Sequence, residues 1–265
     1  MRCINILTCF VIVKSACVVF AQDFSRLATS SAQMATMVSK FTEETPDFTA
    51  VLQFQALDAK GVPKMQMMMD MLMTKTKMRN DILVQAMPQI PEDQRAAMKS
   101  LRVDRIAYIT HLDAKKMYVT FPDIAVFQEF PLSDAALEEI GARSKSVTLQ
   151  KTEIGPDNVN GHACVKTLVE ATETNRPPEK AVIWYASDLG RFPLRIVIRK
   201  DNLLHVFEFK GVKLVSPNPA LFQIPTNYTR VEDTAQVLRI AHERIKAKGE
   251  PFPMPSQGSQ SPHSQ

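Results

Sequence analysis

Five methionines at alternate positions, Met65, Met67, Met69, Met71 and Met73, have the most distinctive type and spacing in this chain. On a helix they would scatter around the axis; on a strand they form a row on one face. Such a row permits three kinds of chemistry. Methionine is a flexible filler, so the row can simply pack a core. The same flexibility suits the wall of a cavity for an acyl chain or another apolar ligand. Leu52 and Phe54, alternating on a neighbouring segment, would extend that wall, and Trp184 could stand at its rim. Finally, thioethers are soft ligands that select Cu(I). Alternate residues on one strand are about 6.6 Å apart, too far for several of them to reach one ion unaided.

The remaining chemistry-bearing residues form no pattern. His111, His162, His205 and His242 are isolated, and none makes a two-histidine helical pair of the zinc-protease kind. Cys164 lies within a strand pattern, where a buried inert thiol is the ordinary state. Asp157, Asp188 and Asp201 fall at turn signals, where carboxylates cap backbone donors. Gly155, Gly161 and Gly190 are turn glycines, and no phosphate-cradling loop is present. The sequence therefore predicts a protein that is not an enzyme and has no cofactor and no metal site. An enzyme would need a polar cleft gathering at least two of His111, His162, His205, Asp188 and Cys164.

The elements that position these residues begin with an expected leader. Arg2 precedes a largely apolar stretch from Ile4 to Phe20, interrupted by Lys14, and Val19-Phe20-Ala21 suits cleavage after Ala21. Lys14 argues against a membrane anchor, and it stands where lipidation at Cys17 would want an aliphatic residue. Cleavage would remove three of the four cysteines and lower the formal charge from +4 to +2. A disulfide-free domain with no basic cluster remains, which argues against a nucleic-acid partner and leaves stability to a hydrophobic core. The expected organisation is a signal peptide over 1–21, one domain over 22–248, and a disordered Pro/Gly/Ser/Gln tail over 249–265.

Within that domain, residues 23–44 carry an imperfect helical rhythm. Phe48, Ala50, Leu52, Phe54 and Ala56 alternate as a strand, and Asp58-Ala59-Lys60-Gly61 reads as the turn into the methionine row. Arg79-Asn80-Asp81 reads as that strand's end. Pro91-Glu92-Asp93 opens a short helix through Lys99. Strands are predicted over Arg105–Thr110 and Lys116–Phe121, with a short helix over Ser133–Ile140. Further strands follow at Val147–Thr152, His162–Glu170, Ala181–Tyr185, Leu194–Arg199 and Leu203–Lys210, and then a helix over 231–248. Short strands without long intervening helices predict antiparallel pairing.

Three stretches carry a family resemblance. Gly155-Pro156-Asp157-Asn158-Val159-Asn160-Gly161-His162-Ala163-Cys164 resembles a hairpin of an exported bacterial family of unknown function. That family is related to the periplasmic outer-membrane lipoprotein carriers. Trp184 to Arg195, with its Asp188-Leu189-Gly190 turn, resembles a second motif, and Asn218 to Tyr228 resembles its closing element. The resemblance covers about residues 50–227; Asn227 departs from the usual glycine, and 82–103 is longer than the family's norm. It implies an α+β, mainly β fold: a strongly curved antiparallel sheet, an incomplete β-barrel covered by helices. It also implies a periplasmic or secreted protein that binds or carries a lipid, an acyl chain or a lipoprotein, and is at most peripheral to a membrane. A structural or protein-interaction domain of the cell envelope is the alternative, and a methionine-rich copper binder a weaker one.

Overall fold

The computed structural model describes residues 47–133, 148–172, 178–200 and 202–247. The expected leader, the 23–44 helix, all but the first residue of the Ser133–Ile140 helix, Asp201 and the tail lie outside the described residues.

The alternation beginning at Phe48 becomes β1 (Phe48–Leu57), whose odd-step side chains from Phe48 to Ala56 are all buried. Asp58 stops it: its carboxylate accepts from the Lys60 and Val62 amides at 2.9 Å each, and Gly61 takes a positive φ of 77°. The chain returns as β2 (Pro63–Met73), antiparallel to β1, with Leu52 opposite Met69 and Phe54 opposite Met67. Next comes β3 (Lys77–Leu83), so Arg79-Asn80-Asp81 continues the sheet where the sequence signalled a stop. Asn and Asp disfavour strands on average, but here Arg79 holds Asp81 by two hydrogen bonds of 2.7 and 2.8 Å, and the ladder supplies the rest.

Helix α1 (Glu92–Ser100) opens with two acids after Pro91, as expected, and buries Met98. Strands β4 (Arg105–His111) and β5 (Lys116–Phe121) form a hairpin that β6 (Val126–Pro131) extends. The second series is β7 (Thr148–Val159), β8 (His162–Thr172), β9 (Glu179–Ala186), β10 (Pro193–Lys200) and β11 (Leu203–Lys213). Gly155-Pro156 does not end β7 as its composition suggested. The strand absorbs it as a register shift between Glu153 and Gly155, with φ 150° at the glycine. The chain closes with a strap over 214–228, the short β12 (Thr229–Arg230) and helix α2 (Thr234–Ala247). Helix α2 presents Val237, Ala241 and Ile245 as a buried stripe.

All twelve strands make one sheet in the order β12-β6-β5-β4-β3-β2-β1-β11-β10-β9-β8-β7. This corrects the expected architecture. The sheet is open and not strongly curled: β12 and β7 are its two edges and do not pair, so it is not an incomplete barrel. Nor is it purely antiparallel, because β12 runs parallel to β6. Alternation specifies strands and their buried side, whereas closure depends on shear and tilt, which no local pattern encodes. No described helix is long and apolar enough to cross a membrane.

Candidate functional site

The register assigns every candidate to one of two faces. The first face carries Phe48, Ala50, Leu52 and Phe54 of β1 beside Met73, Met71, Met69 and Met67 of β2. Leu52 is 0% exposed, and none of the four methionines exceeds 6%. Met65 keeps the alternation but sits near the strand's beginning and is 44% exposed. Leu52 and Phe54 face Phe209 and Phe207 of β11. These join an aromatic group in which Phe48 and Phe192 lie edge to face at 4.9 Å, and Phe192 and Phe209 at 5.4 Å. Met87 and Met98, from the segment around α1, belong to the same apolar cluster. Pairing with β3 also puts Met78 directly opposite Met73, a neighbour that spacing along one strand could not reveal.

The same face holds a feature that sequence reading missed. Asn80 lies between Met71 and Tyr108 in the register, and Thr110 lies between Met78 and Met117. These three polar residues are at most 2% exposed, and the Asn80 amide, the Tyr108 hydroxyl and the Thr110 hydroxyl have no hydrogen-bond partner among the described residues. Each such group costs about 1–3 kcal/mol. Burial also pushes the Tyr108 phenol far above its ordinary pKa, so it stays protonated. The signal was available in part: Asn80 alternates with Met78 and Ile82, at a position read as the end of the strand.

Trp184 lies on the opposite face. Ile183 faces Ile196, which faces Phe207 and so the methionine side; one residue on, Trp184 faces Arg195, which faces Glu208 and then Gln53. There the indole N–H donates to Asp157 at 2.7 Å, with Lys166 at 5.0 Å and Arg195 at 5.6 Å from the ring centroid. Arg195 donates to Glu208 at 2.6 and 2.9 Å, and Lys210 donates to Gln53 at 2.7 Å. Burial works to raise the Glu208 pKa, but the Arg195 hydrogen bond and charge, together with Lys210 and Asn160, outweigh it and leave the carboxyl below its usual value. The Trp184 hydrogen bond likewise lowers Asp157. This strip is a ladder of paired charges and cation–π contacts.

Of the residues an enzyme would have to gather, three come together at the β8 end. His162 Nδ1 lies 2.8 Å from Asp188 Oδ2, and the Cys164 thiol donates to the His162 carbonyl oxygen at 3.4 Å. Burial raises the Cys164 pKa, and the Asp188 and Asp157 charges push the same way, which is the reverse of thiolate activation. His111 lies apart, its Nε2 donating to the Phe222 carbonyl oxygen at 2.7 Å. Arg79 donates to the Leu221 carbonyl at 2.8 Å, so both side chains fasten the strap to the second face of β3 and β4. Among the described residues no group of three or more His, Cys, Asp or Glu could hold a metal. A pocket of about 230 Å³ lies where Ile124 and Asp123 meet Ala241, Arg244 and Ile245 of α2, and no methionine of the row lines it.

No family model matches the chain, and no curated protein matches it. Among solved structures, LprF from Mycobacterium bovis is similar over 72% of this chain and 97% of its own, at 15% identity and a TM-score of 0.39. The lipoprotein LppX from Mycobacterium tuberculosis is similar over 71% and 96%, at 9% identity and a TM-score of 0.42. A LolA superfamily protein from Nitrosomonas europaea is similar over 72% and 97%, at 13% identity and a TM-score of 0.37. These likenesses are distant and of low identity, and this chain's own residues carry its functional reading.

Proposed function

We propose that this protein binds or carries an apolar or lipidic ligand without catalysis, in the periplasm or outside the cell. The ligand's chain is held against the face built by Leu52, Phe54, Met67, Met69, Met71 and Met73, with Met65 at the entrance. The observation that supports this is the concentration of methionine there. Met67, Met69, Met71, Met73, Met78, Met87 and Met98 all belong to one buried apolar cluster. A core built for rigidity favours branched side chains with few rotamers; unbranched thioethers let a wall rearrange around a guest. Met67 and Met71 are 2% and 1% exposed, so a ligand enters by displacing side chains. Trp184 is left out of the proposed wall, because its ladder lies on the other face.

The same close burial favours a second reading, an envelope domain whose methionines are only core. Mass spectrometry of gently purified protein, with titration by the apolar fluorophore phenylnaphthylamine, separates the two. The carrier reading predicts a co-purifying lipid or saturable fluorophore binding that added lipid reverses. Absence of both leaves the structural reading.

A further inference from the structure

We infer that Asn80, Tyr108 and Thr110 are the polar anchor of this face and take an uncharged acyl linkage, an ester or amide carbonyl with a neighbouring hydroxyl or N–H. The inference rests on the lipid-binding reading and specifies what part of the lipid is recognised. It starts from an imbalance. Buried polar groups in proteins are nearly always paired, and here three neighbouring side chains at most 2% exposed have no partner among the described residues. They are contiguous, since Asn80 faces Tyr108 across the β3–β4 ladder and Thr110 follows two residues on, on the same side. Apolar residues surround them, with Met71 beside Asn80 and Met78 beside Thr110. A lone orphan can be a folding compromise; a contiguous set beside the proposed wall, on the same face, describes a partner.

The chemistry of the set selects the ligand group. Asn80 offers two N–H donors and one carbonyl acceptor, and each hydroxyl can donate once and accept. A carbonyl oxygen would take the donors, and an adjacent hydroxyl or N–H would satisfy the Asn80 oxygen. Among the described residues, the positions of β1 to β5 on this face carry no Asp, Glu, Lys or Arg. A carboxylate or phosphate would therefore be buried without a counter-charge, which is far more costly than burying a neutral linkage. Bare hydrocarbon would fill the methionine wall and leave the three groups as they are.

The test uses the full chain after leader removal and displacement of phenylnaphthylamine by three chain-matched probes: monopalmitoylglycerol, palmitate and hexadecane, each from the same detergent dispersion. Wild-type protein is expected to prefer monopalmitoylglycerol to both others by about tenfold or more, the worth of one or two well-made hydrogen bonds. Asn80→Leu and Tyr108→Phe should each remove about tenfold of that preference and leave hexadecane unchanged. Thr110→Val, nearly isosteric, repeats the test if either of those variants fails to fold. Ligand-free variants should melt at higher temperature than wild type, because an orphaned polar group has gone. Equal binding of hexadecane and monopalmitoylglycerol, or a preference that survives all three substitutions, would show that the groups serve only buried water and would overturn the inference while leaving lipid binding intact. Palmitate bound as tightly as the ester would overturn the requirement for an uncharged group. Binding of none of the probes would overturn the lipid-binding reading and this inference with it.

Discussion

Along β2, the odd positions from Met67 to Met73 are at most 6% exposed, whereas Met68 between two of them is 49% exposed and shares its side with Asp70. The contrast runs across the sheet. On one side Leu52, Phe54, Phe207 and Phe209 continue the methionine row; on the other, Gln53, Glu208, Arg195 and Trp184 form a ladder of hydrogen bonds and cation–π contacts. Both faces use the same strands one residue out of step, so a single-residue slip would exchange them. The difference separates two tasks. The polar face fixes geometry through directional, mutually satisfied pairs, and the apolar face offers deformable side chains together with three unsatisfied ones. A face that must accept a guest is better built from the second kind of surface.

The largest effect expected from breaking this contrast is a charge on the wrong side. Met71→Asp should cost about 4 kcal/mol or more in urea unfolding, because the carboxylate is buried without a partner. Met68→Asp, three residues away and on the other face, should change stability by about 0.5 kcal/mol or less. Next is Phe209→Ala, which removes a fully buried ring from the aromatic group; about 3–4 kcal/mol is expected in the same assay. A smaller effect follows on the polar face. Arg195→Met leaves the half-buried Glu208 without its hydrogen-bonded cation and should cost about 1–2 kcal/mol, with no change in phenylnaphthylamine binding. If that substitution abolished binding while Met71→Leu did not, the two faces would have been assigned the wrong tasks.

The smallest predicted effect is the ladder's share of the pH dependence, beside those of Asp58, Glu129 and Asp188, whose carboxyls are also held below their ordinary values. Glu208 and Asp157 both have folded-state pKa values below their ordinary values. Each therefore stabilises the folded protein above its ordinary value, and this contribution disappears as pH falls through the lower folded value. The urea midpoint should decline as pH drops below 4.5 for Glu208 and below 3.8 for Asp157. Trp184 is the chain's one tryptophan, so its emission reports Asp157 directly, with a midpoint below 3.8. Asp157→Asn should abolish that titration, and Glu208→Gln should lessen the decline of the urea midpoint at acid pH.

Much of this contrast was legible in the sequence, and the reasons for the rest are physical. Alternation placed Phe48 to Ala56 and Met67 to Met73 on buried sides, because a strand's period of two is a local property. The helix from Glu92 also follows from local signals: a proline, two acids and no competing alternation. What failed was non-local. Trp184 was grouped with the methionines, yet its side depends on how β9, β10 and β11 register against β1, which no residue near Trp184 specifies. Asn80 and Gly155 were read as stops, since composition cannot foresee a ladder that carries an asparagine or a bulge that absorbs a glycine. The open sheet in place of the expected curled one is the same lesson at larger scale. The approach of His162, Asp188 and Cys164 was likewise invisible, because the turn after β9 delivers Asp188 to the start of β8.

The methionine face is expected to yield to a lipid, and labelling reads its location directly. A monoacylglycerol carrying a diazirine in its acyl chain, bound to the full protein and photolysed, should place adducts on peptides containing Leu52 to Phe54, Met67 to Met73 and Asn80. Excess unlabelled monopalmitoylglycerol should suppress them. Adducts confined to the Trp184 and Arg195 face, or none that competitor removes, would contradict the claim.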